Sequence, residues 1–310
     1  MKPHKHPIVH HKELSHGHIV VSLYPSGKNP AIGGMRRIKY PSLDEAILDC
    51  KNLALAMLCK ATAHDLPLSG GKSVIYCSDE DWAKHRSQIT QEAGLFIDTL
   101  AGRYITAIDM GTHMLDMDRI SLVTEHVCAH SKHDQTAYYT ALGVYYALLG
   151  ACSWNNTDLN KANILIEGLG QVSTCLIQIL EAHQAQLFGI DINPKQLDAH
   201  AHRVKPYQPG QNIDIFCPNA SGGSISKERA KAIGCQIICG AANNQIVPHE
   251  SIDQLPCLTV PDYIANGGGL IYVYHKMNHS SLQQLESHIK SIQCKTREFL
   301  ETLRFPENAS

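Results

Sequence analysis

Hydrophobic positions along the chain follow two rhythms: short continuous runs that predict strands, and a three-to-four-residue spacing that predicts helices. "HIVVSLY" (18–24) and "AIGGM" (31–35) read as strands separated by the turn "PSGKNP". Ser42 followed by Glu45 makes a capping box. Behind it Leu43, Ala46, Ile47, Leu53, Ala54, Met57 and Leu58 keep helical spacing, to an end near Cys59–Lys60. A glycine turn in "LPLSGGKSVI" (66–75) leads into the strand "SVIYC", a helix to about residue 100, and the strand "RYITAI" ending at Asp109. The polar stretch "AHSKHDQ" (129–135) precedes a long helix around 137–152. After it, "ANILIEGLGQVSTCLIQILEAHQAQLFGIDIN" (162–193) reads strand, helix, strand.

Composition narrows the class. With 310 residues, 44% hydrophobic and 18% charged, the chain has material for two ordinary domains with proper cores. A formal charge of −2 carries no signature of a nucleic-acid binder. No apolar run suits a membrane span, and the first eighteen residues lack the apolar core of a signal peptide. Eleven scattered cysteines without a C-x-x-C pair predict reduced thiols in a cytoplasmic protein. Six of the nineteen histidines (His4, His6, His10, His11, His16, His18) crowd the N-terminus. With no second ligand cluster at fixed spacing, they predict a polar leader, and no metal site is expected.

The most specific motif is the strand at 162–166 running into Gly168-x-Gly170-x-x-Ser173 at the head of a helix. The first glycine serves a tight turn, the second lets the backbone approach a pyrophosphate, and the third position must be small for helix–strand packing. The helix N-terminus offers N–H groups to phosphates. Asp191 closes the next strand, where an acid binds the ribose hydroxyls and repels a 2′-phosphate, so NAD is the expected cofactor. Lys72 follows two glycines. Alone it reads as a solvated lysine at a strand entry, or as a cation aimed into a cleft. Asn243 and Asn244 in "CGAANNQ", and the glycines of "VPDYIANGGGLIYV" (260–273), follow apolar strands where turns or ligands are found.

Together "GRYITAIDMGT", "GAANNQ", "PDYIANGGG", the pairing of Lys60 with Lys72, and "GLGQVS…DIN" resemble the glutamate/leucine/phenylalanine/valine dehydrogenase family, leucine dehydrogenase most closely. The likeness runs from about residue 19 to about 300. It implies an α/β fold: an N-terminal α/β substrate domain, a Rossmann-type doubly wound NAD-binding domain, and a cleft between them. The implied divisions are 1–133 for substrate, catalysis and oligomerisation, 134–278 for the NAD-binding domain, and 279–310 for a C-terminal helix. The implied activity is NAD-dependent oxidative deamination of a branched-chain L-amino acid to its 2-oxo acid and ammonia, by a homo-oligomer. Lys72 and Asp109 match the catalytic lysine and aspartate. Lys60 and Asn244 match the groups holding the substrate carboxylate. Thr140 and Asn243 match residues near the nicotinamide. Ile32, Gly33, Ala107, Leu270 and Val273 match the pocket wall. All five are apolar or small, with no cation for a side-chain carboxylate, which disfavours glutamate.

The chain departs from the family in several places. Asp65 stands where relatives carry glycine, with His64 before it. Ser69 replaces a glycine, Tyr272 an asparagine, and the hinge at 130–139 is rewritten. An Asp65 facing the lysines would favour the Lys72 ammonium and impair a general base. These departures suggest the alternative of a catalytically impaired relative that binds nucleotide or amino acid as a regulatory or structural subunit.

Overall fold

In the computed structural model, which describes residues 6–128 and 135–304, the apolar run at 19–23 is buried on both faces. Ile19 and Val21 join one core, with Ile75, Ile89, Ile97, Tyr104 and Ile120, while Val20 joins Ala46, Cys50 and Val74 in another. Successive strand residues point to opposite faces, so helices covering both sides convert the expected alternation into a continuous run.

The strands are β1 (Ile8–Leu14), β2 (Gly17–Tyr24), β3 (Ala31–Arg36), β4 (Ser69–Tyr76) and β5 (Tyr104–Ile108), in the order β1-β2-β4-β3-β5. β1 and β2 are antiparallel, as are β2 and β4, whereas β3 runs parallel to both β4 and β5. Helix α1 (Leu43–Ala63) covers one face; α2 (Asp79–Asp98) and α3 (Met114–Ser121) cover the other. These elements belong to the first of two compact units, Met1–Asp134 and Gln135–Ser310.

Three local expectations for this unit need correcting. The histidine-rich leader is not merely polar, because residues 8–14 pair along their full length with β2 as an edge strand. α1 continues past Lys60 to Ala63. The glycines before Lys72 do not form a turn but lie inside β4. Their role is steric. A Cβ on Gly70 would lie 2.3 Å from the Ala54 carbonyl oxygen of α1, and one on Gly71 2.9 Å from the Tyr104 ring.

The second unit opens with α4 (Thr136–Asn155). Six parallel strands follow: β6 (Asn163–Glu167), β7 (Gln186–Ile190), β8 (Val204–Pro206), β9 (Ile215–Pro218), β10 (Ile237–Ile238) and β11 (Leu258–Thr259). Their order is β11-β10-β9-β6-β7-β8, so the winding reverses between β6 and β9. That reversal is the switch point of a Rossmann-type doubly wound sheet, beside which ligands bind at the strands' carboxyl ends. The helices are α5 (Gln171–Leu180), α6 (Pro194–Ala199), α7 (Lys227–Ile233), α8 (Asp262–Ala265), α9 (Gly268–Met277), α10 (Leu282–Lys290) and α11 (Ile292–Arg304). α9 and α11 pack on α4, and the glycines of "NGGG" lead into and open α9. Of the rewritten hinge, residues 130–134 lie outside the described residues. Among the described residues no helix is long and apolar enough to cross a membrane.

Candidate active site and dinucleotide site

In the first unit the chemistry gathers on β4, β3 and the end of β5. Lys72 projects from β4 with its side chain 8% exposed, and its Nζ lies 2.9 Å from Asp109 Oδ2. Asp109 follows β5, two strands away from β4, so the pair forms across β3. Gly34 of β3 makes room for it: a Cβ there would lie 2.6 Å from Asp109 Cβ. Thr112 fixes the loop, its hydroxyl donating to the Met35 carbonyl at 2.8 Å and accepting from the Asp109 N–H at 3.0 Å. Tyr104 steadies the glycine segment of β3 by donating to the Gly33 carbonyl at 2.6 Å.

Arg36 is the residue that pattern reading missed. Its Nε donates to Asp109 Oδ2 at 2.8 Å, and its Nη1 lies 3.3 Å from Asp49 Oδ2, which also accepts from the Tyr40 hydroxyl at 2.6 Å. A charged residue closing an apolar strand was the available signal. Burial lowers the Lys72 pKa below the ordinary lysine value; Asp109 opposes that shift and the Arg36 charge adds to it. Burial alone would raise the Asp109 pKa, but Lys72 and Arg36 outweigh it and hold the carboxyl below its usual range. The site therefore holds a desolvated amine with a lowered pKa beside a carboxylate whose pKa is lowered too.

Lys60 is half-buried in the last turn of α1, on the helix that covers the Lys72 face of β4. Ile32 and Gly33 are buried in β3, and Ala107 is half-buried near the end of β5. Asp65 is not an intruding charge. It is exposed, and its φ of 51° places it in the left-handed region. Its N–H donates to the Thr62 carbonyl and that of Leu66 to the Ala61 carbonyl, a Schellman ending for α1. The family's glycine is explained by the conformation, which aspartate tolerates better than most residues. The charges that act most on Lys72 are Asp109 and Arg36. Ser69 likewise serves the local structure, since its hydroxyl donates to the Asn29 carbonyl at 2.8 Å and accepts from the Ser26 N–H at 2.7 Å.

In the second unit the fingerprint lies at the switch point. Gly168 has φ +80°, and a Cβ there would lie 2.7 Å from that of Ala220. At Gly170, the N-cap of α5, a Cβ would meet nothing within 4 Å, so this helix N-terminus opens onto unfilled space. Ser173 uses its hydroxyl locally, donating to the Gly168 carbonyl and accepting from Asn219 Nδ2 at 3.0 Å. Asp191 accepts from the N–H groups of Leu169 at 2.6 Å and Asn193 at 2.7 Å, one on each oxygen. These bonds aim the carboxylate and leave each oxygen a further lone pair.

Asn243 and Asn244 are exposed just beyond β10. Asn266, missed although it sits inside a quoted motif, donates to the Asn243 side-chain oxygen at 2.9 Å and the Ala241 carbonyl at 3.1 Å. Asn244 takes φ 48°, and its N–H donates to Asp262 at 2.8 Å. Thr140 donates to the Thr136 carbonyl at 2.7 Å, and a Cβ on Gly269 would lie 2.5 Å from its oxygen. Leu270 and Val273 lie one turn apart on α9. Tyr272 stacks on Tyr139 with centroids 4.7 Å apart.

The family model described as "Glu/Leu/Phe/Val dehydrogenase, dimerisation domain" matches residues 10–126, and "Glutamate/Leucine/Phenylalanine/Valine dehydrogenase" matches residues 191–302. The chain is 31% identical over 271 residues to L-tryptophan dehydrogenase of Nostoc punctiforme, covering 83% of this chain and 76% of that one. It is 33% identical over 272 residues to leucine dehydrogenase of Thermoactinomyces intermedius, covering 82% and 73%. With phenylalanine dehydrogenase of Bacillus thermotolerans it shares 32% over 274 residues, covering 82% and 71%. The crystal structure of the Nostoc punctiforme protein matches with a TM-score of 0.80 at 27% identity, covering 97% of this chain and 90% of that one.

Proposed function

The chain belongs to the glutamate/leucine/phenylalanine/valine dehydrogenase family of amino-acid dehydrogenases, and we propose that it oxidatively deaminates a small aliphatic, branched-chain L-amino acid such as leucine with NAD. The single observation that carries catalysis is the buried Lys72 paired with Asp109 at 2.9 Å. Gly168, Gly170, Ser173 and the N-terminus of α5 hold the diphosphate, Asp191 the ribose, and Thr140 and Asn243 the nicotinamide. When bound, NAD supplies the hydride acceptor for the substrate Cα.

The protein's residues manage the protons. Lys60 and Asn244 hold the substrate carboxylate. Asp109 accepts a proton from the substrate amino group as the imine forms. Neutral Lys72 then takes one from the water that adds to the imine carbon. Asp109 returns its proton to the carbinolamine nitrogen. Lys72, having released its own proton to solvent, takes the hydroxyl proton as the carbonyl forms, and the C–N bond breaks to give ammonia and the 2-oxo acid. A lysine with a depressed pKa suits this role, because only its neutral form accepts a proton.

Ile32, Gly33, Ala107, Leu270 and Val273 support an aliphatic side chain, since none offers a charge to a second carboxylate. The relatives named for leucine, phenylalanine and tryptophan make substrate choice the finest point of the reading. Residues 1–133 carry substrate and catalysis and 134–278 the dinucleotide, while within the described part of 279–310 two helices, α10 and α11, stand in place of the single C-terminal helix expected. The "dimerisation domain" description of residues 10–126 supports a homo-oligomer, and eleven scattered cysteines without a C-x-x-C pair support a reducing, cytoplasmic setting. NADH absorbance followed over a panel of L-amino acids, with Lys72→Ala as control, tests the reading. Branched-chain substrates should give the highest kcat/KM. No turnover with any amino acid would instead favour the impaired-relative reading.

A further inference from the structure

Away from the catalytic pair, the turn between β1 and β2 meets α2 through three groups of metal-ligand chemistry. His16 Nδ1 lies 3.6 Å from Asp81 Oδ1, and the His16 and His85 rings stack with centroids 3.6 Å apart. One ligand atom from each of His16, Asp81 and His85 falls within 4.8 Å of the other two, and all three residues are half-buried. Asp81 and His85 stand four apart on α2 and so share a helix face. His85 departs from helical geometry, with φ −120° and ψ 15°, which re-aims its ring.

The surroundings hold these groups in place. The Ser78 hydroxyl donates to Asp81 Oδ2 at 2.6 Å, so Oδ1 is the oxygen turned to His16. Ser15, next to His16, donates from its N–H and its hydroxyl to the two oxygens of Glu92, at 2.8 and 2.7 Å, tying the turn to the same helix. Hydrogen bonds that orient a ligating carboxylate are a usual outer layer of metal sites.

We propose that His16, Asp81 and His85 form a binding site for a divalent first-row transition cation of the zinc class, which fastens the β1–β2 turn to α2. Two imidazole nitrogens and one carboxylate oxygen are the donor set such ions take, with water completing a tetrahedron. Ligand atoms around a tetrahedral zinc stand about 3.3 Å apart, given bonds of about 2.0 Å. The observed spread is wider than this, so to bind a cation the two stacked rings turn out of their stack toward one point. The N-terminal histidines, read in the sequence as a leader, thus contribute His16 to a three-ligand constellation that spacing along the chain does not reveal.

The test is zinc titration of the chelator-treated full-length protein by calorimetry, with cobalt(II) absorption as a second readout. The wild type should bind one zinc tightly, gain thermal stability with it, and give the strong visible bands of four-coordinate cobalt. His16→Gln and His85→Gln should each weaken that site at least tenfold and abolish the bands, with metal-free melting temperatures close to wild type. A variant with His4, His6, His10 and His11 all changed to Gln should keep the site. Overturning results are undiminished binding in both single variants, loss of binding in the leader variant, or no zinc bound by the wild type. The last would leave an ion pair and a ring stack only.

Discussion

Arg36 and Lys72 meet on a single carboxylate oxygen, Asp109 Oδ2, at 2.8 and 2.9 Å. Burial lowers the Lys72 pKa most; Asp109 pulls toward the ammonium, and the Arg36 charge, itself also held by Asp49, works against that pull. Removing the Arg36 charge therefore favours the ammonium and raises the Lys72 pKa. The rising limb of the deamination pH–rate profile in Arg36→Met should move to higher pH. A limb that stays put or moves to lower pH contradicts this coupling.

Lys72 and Lys60 should fail differently. Lys72→Ala should cut kcat by about 10²–10⁴ while leaving NAD binding intact, since the general base is lost and the dinucleotide elements are untouched. Lys60→Ala should chiefly raise KM. Steady-state kinetics with calorimetric NAD titration separates the two, and preserved kcat in Lys72→Ala contradicts its role.

Gly34→Ala places a methyl group against the catalytic loop. Its Cβ would lie 2.6 Å from both Asp109 Cβ and the Ile108 carbonyl oxygen, which are held by backbone and cannot swing aside. The variant should lose about 1–3 kcal/mol of stability and tenfold or more in kcat as the Lys72–Asp109 geometry opens. Denaturant melts and kinetics on the same preparation check both effects.

Asp65→Gly should stabilise the protein by about 0.5–1 kcal/mol, because glycine takes the left-handed C-cap conformation without strain. With Asp65 exposed, and Asp109 and Arg36 the leading charges on Lys72, the pH–rate profile should not move. A shift of its rising limb to lower pH would restore the inward orientation.

Asp191 should make the protein prefer NAD over NADP, since a 2′-phosphate would meet a carboxylate fixed by two N–H donors. Calorimetry of Asp191→Ser should show NAD affinity down about tenfold or more, with a smaller gap to NADP. Wild-type binding of NADP as tight as NAD contradicts the assignment.

The sequence by itself determined much of the strand and helix rhythm of both units and the glycine pattern at 168–173, while Lys72 and Asp109 were singled out by the family resemblance. The rhythm and the glycine pattern are encoded locally: periodicity reports which faces are buried, and a phosphate-binding turn needs its residues within one short stretch. Tertiary structure alone decided how those residues are used. Lys72 and Asp109 meet only because β3 lies between β4 and β5 with Gly34 at the crossing, and strand order leaves no mark on local periodicity. For the same reason Arg36 was invisible as a partner of the site, and His16 as a neighbour of Asp81 and His85. At Asp65 the residue type suggested an intruding charge, whereas the left-handed backbone at the end of α1 turned it to solvent. Side-chain direction follows from φ, ψ and packing, which a residue's identity does not fix.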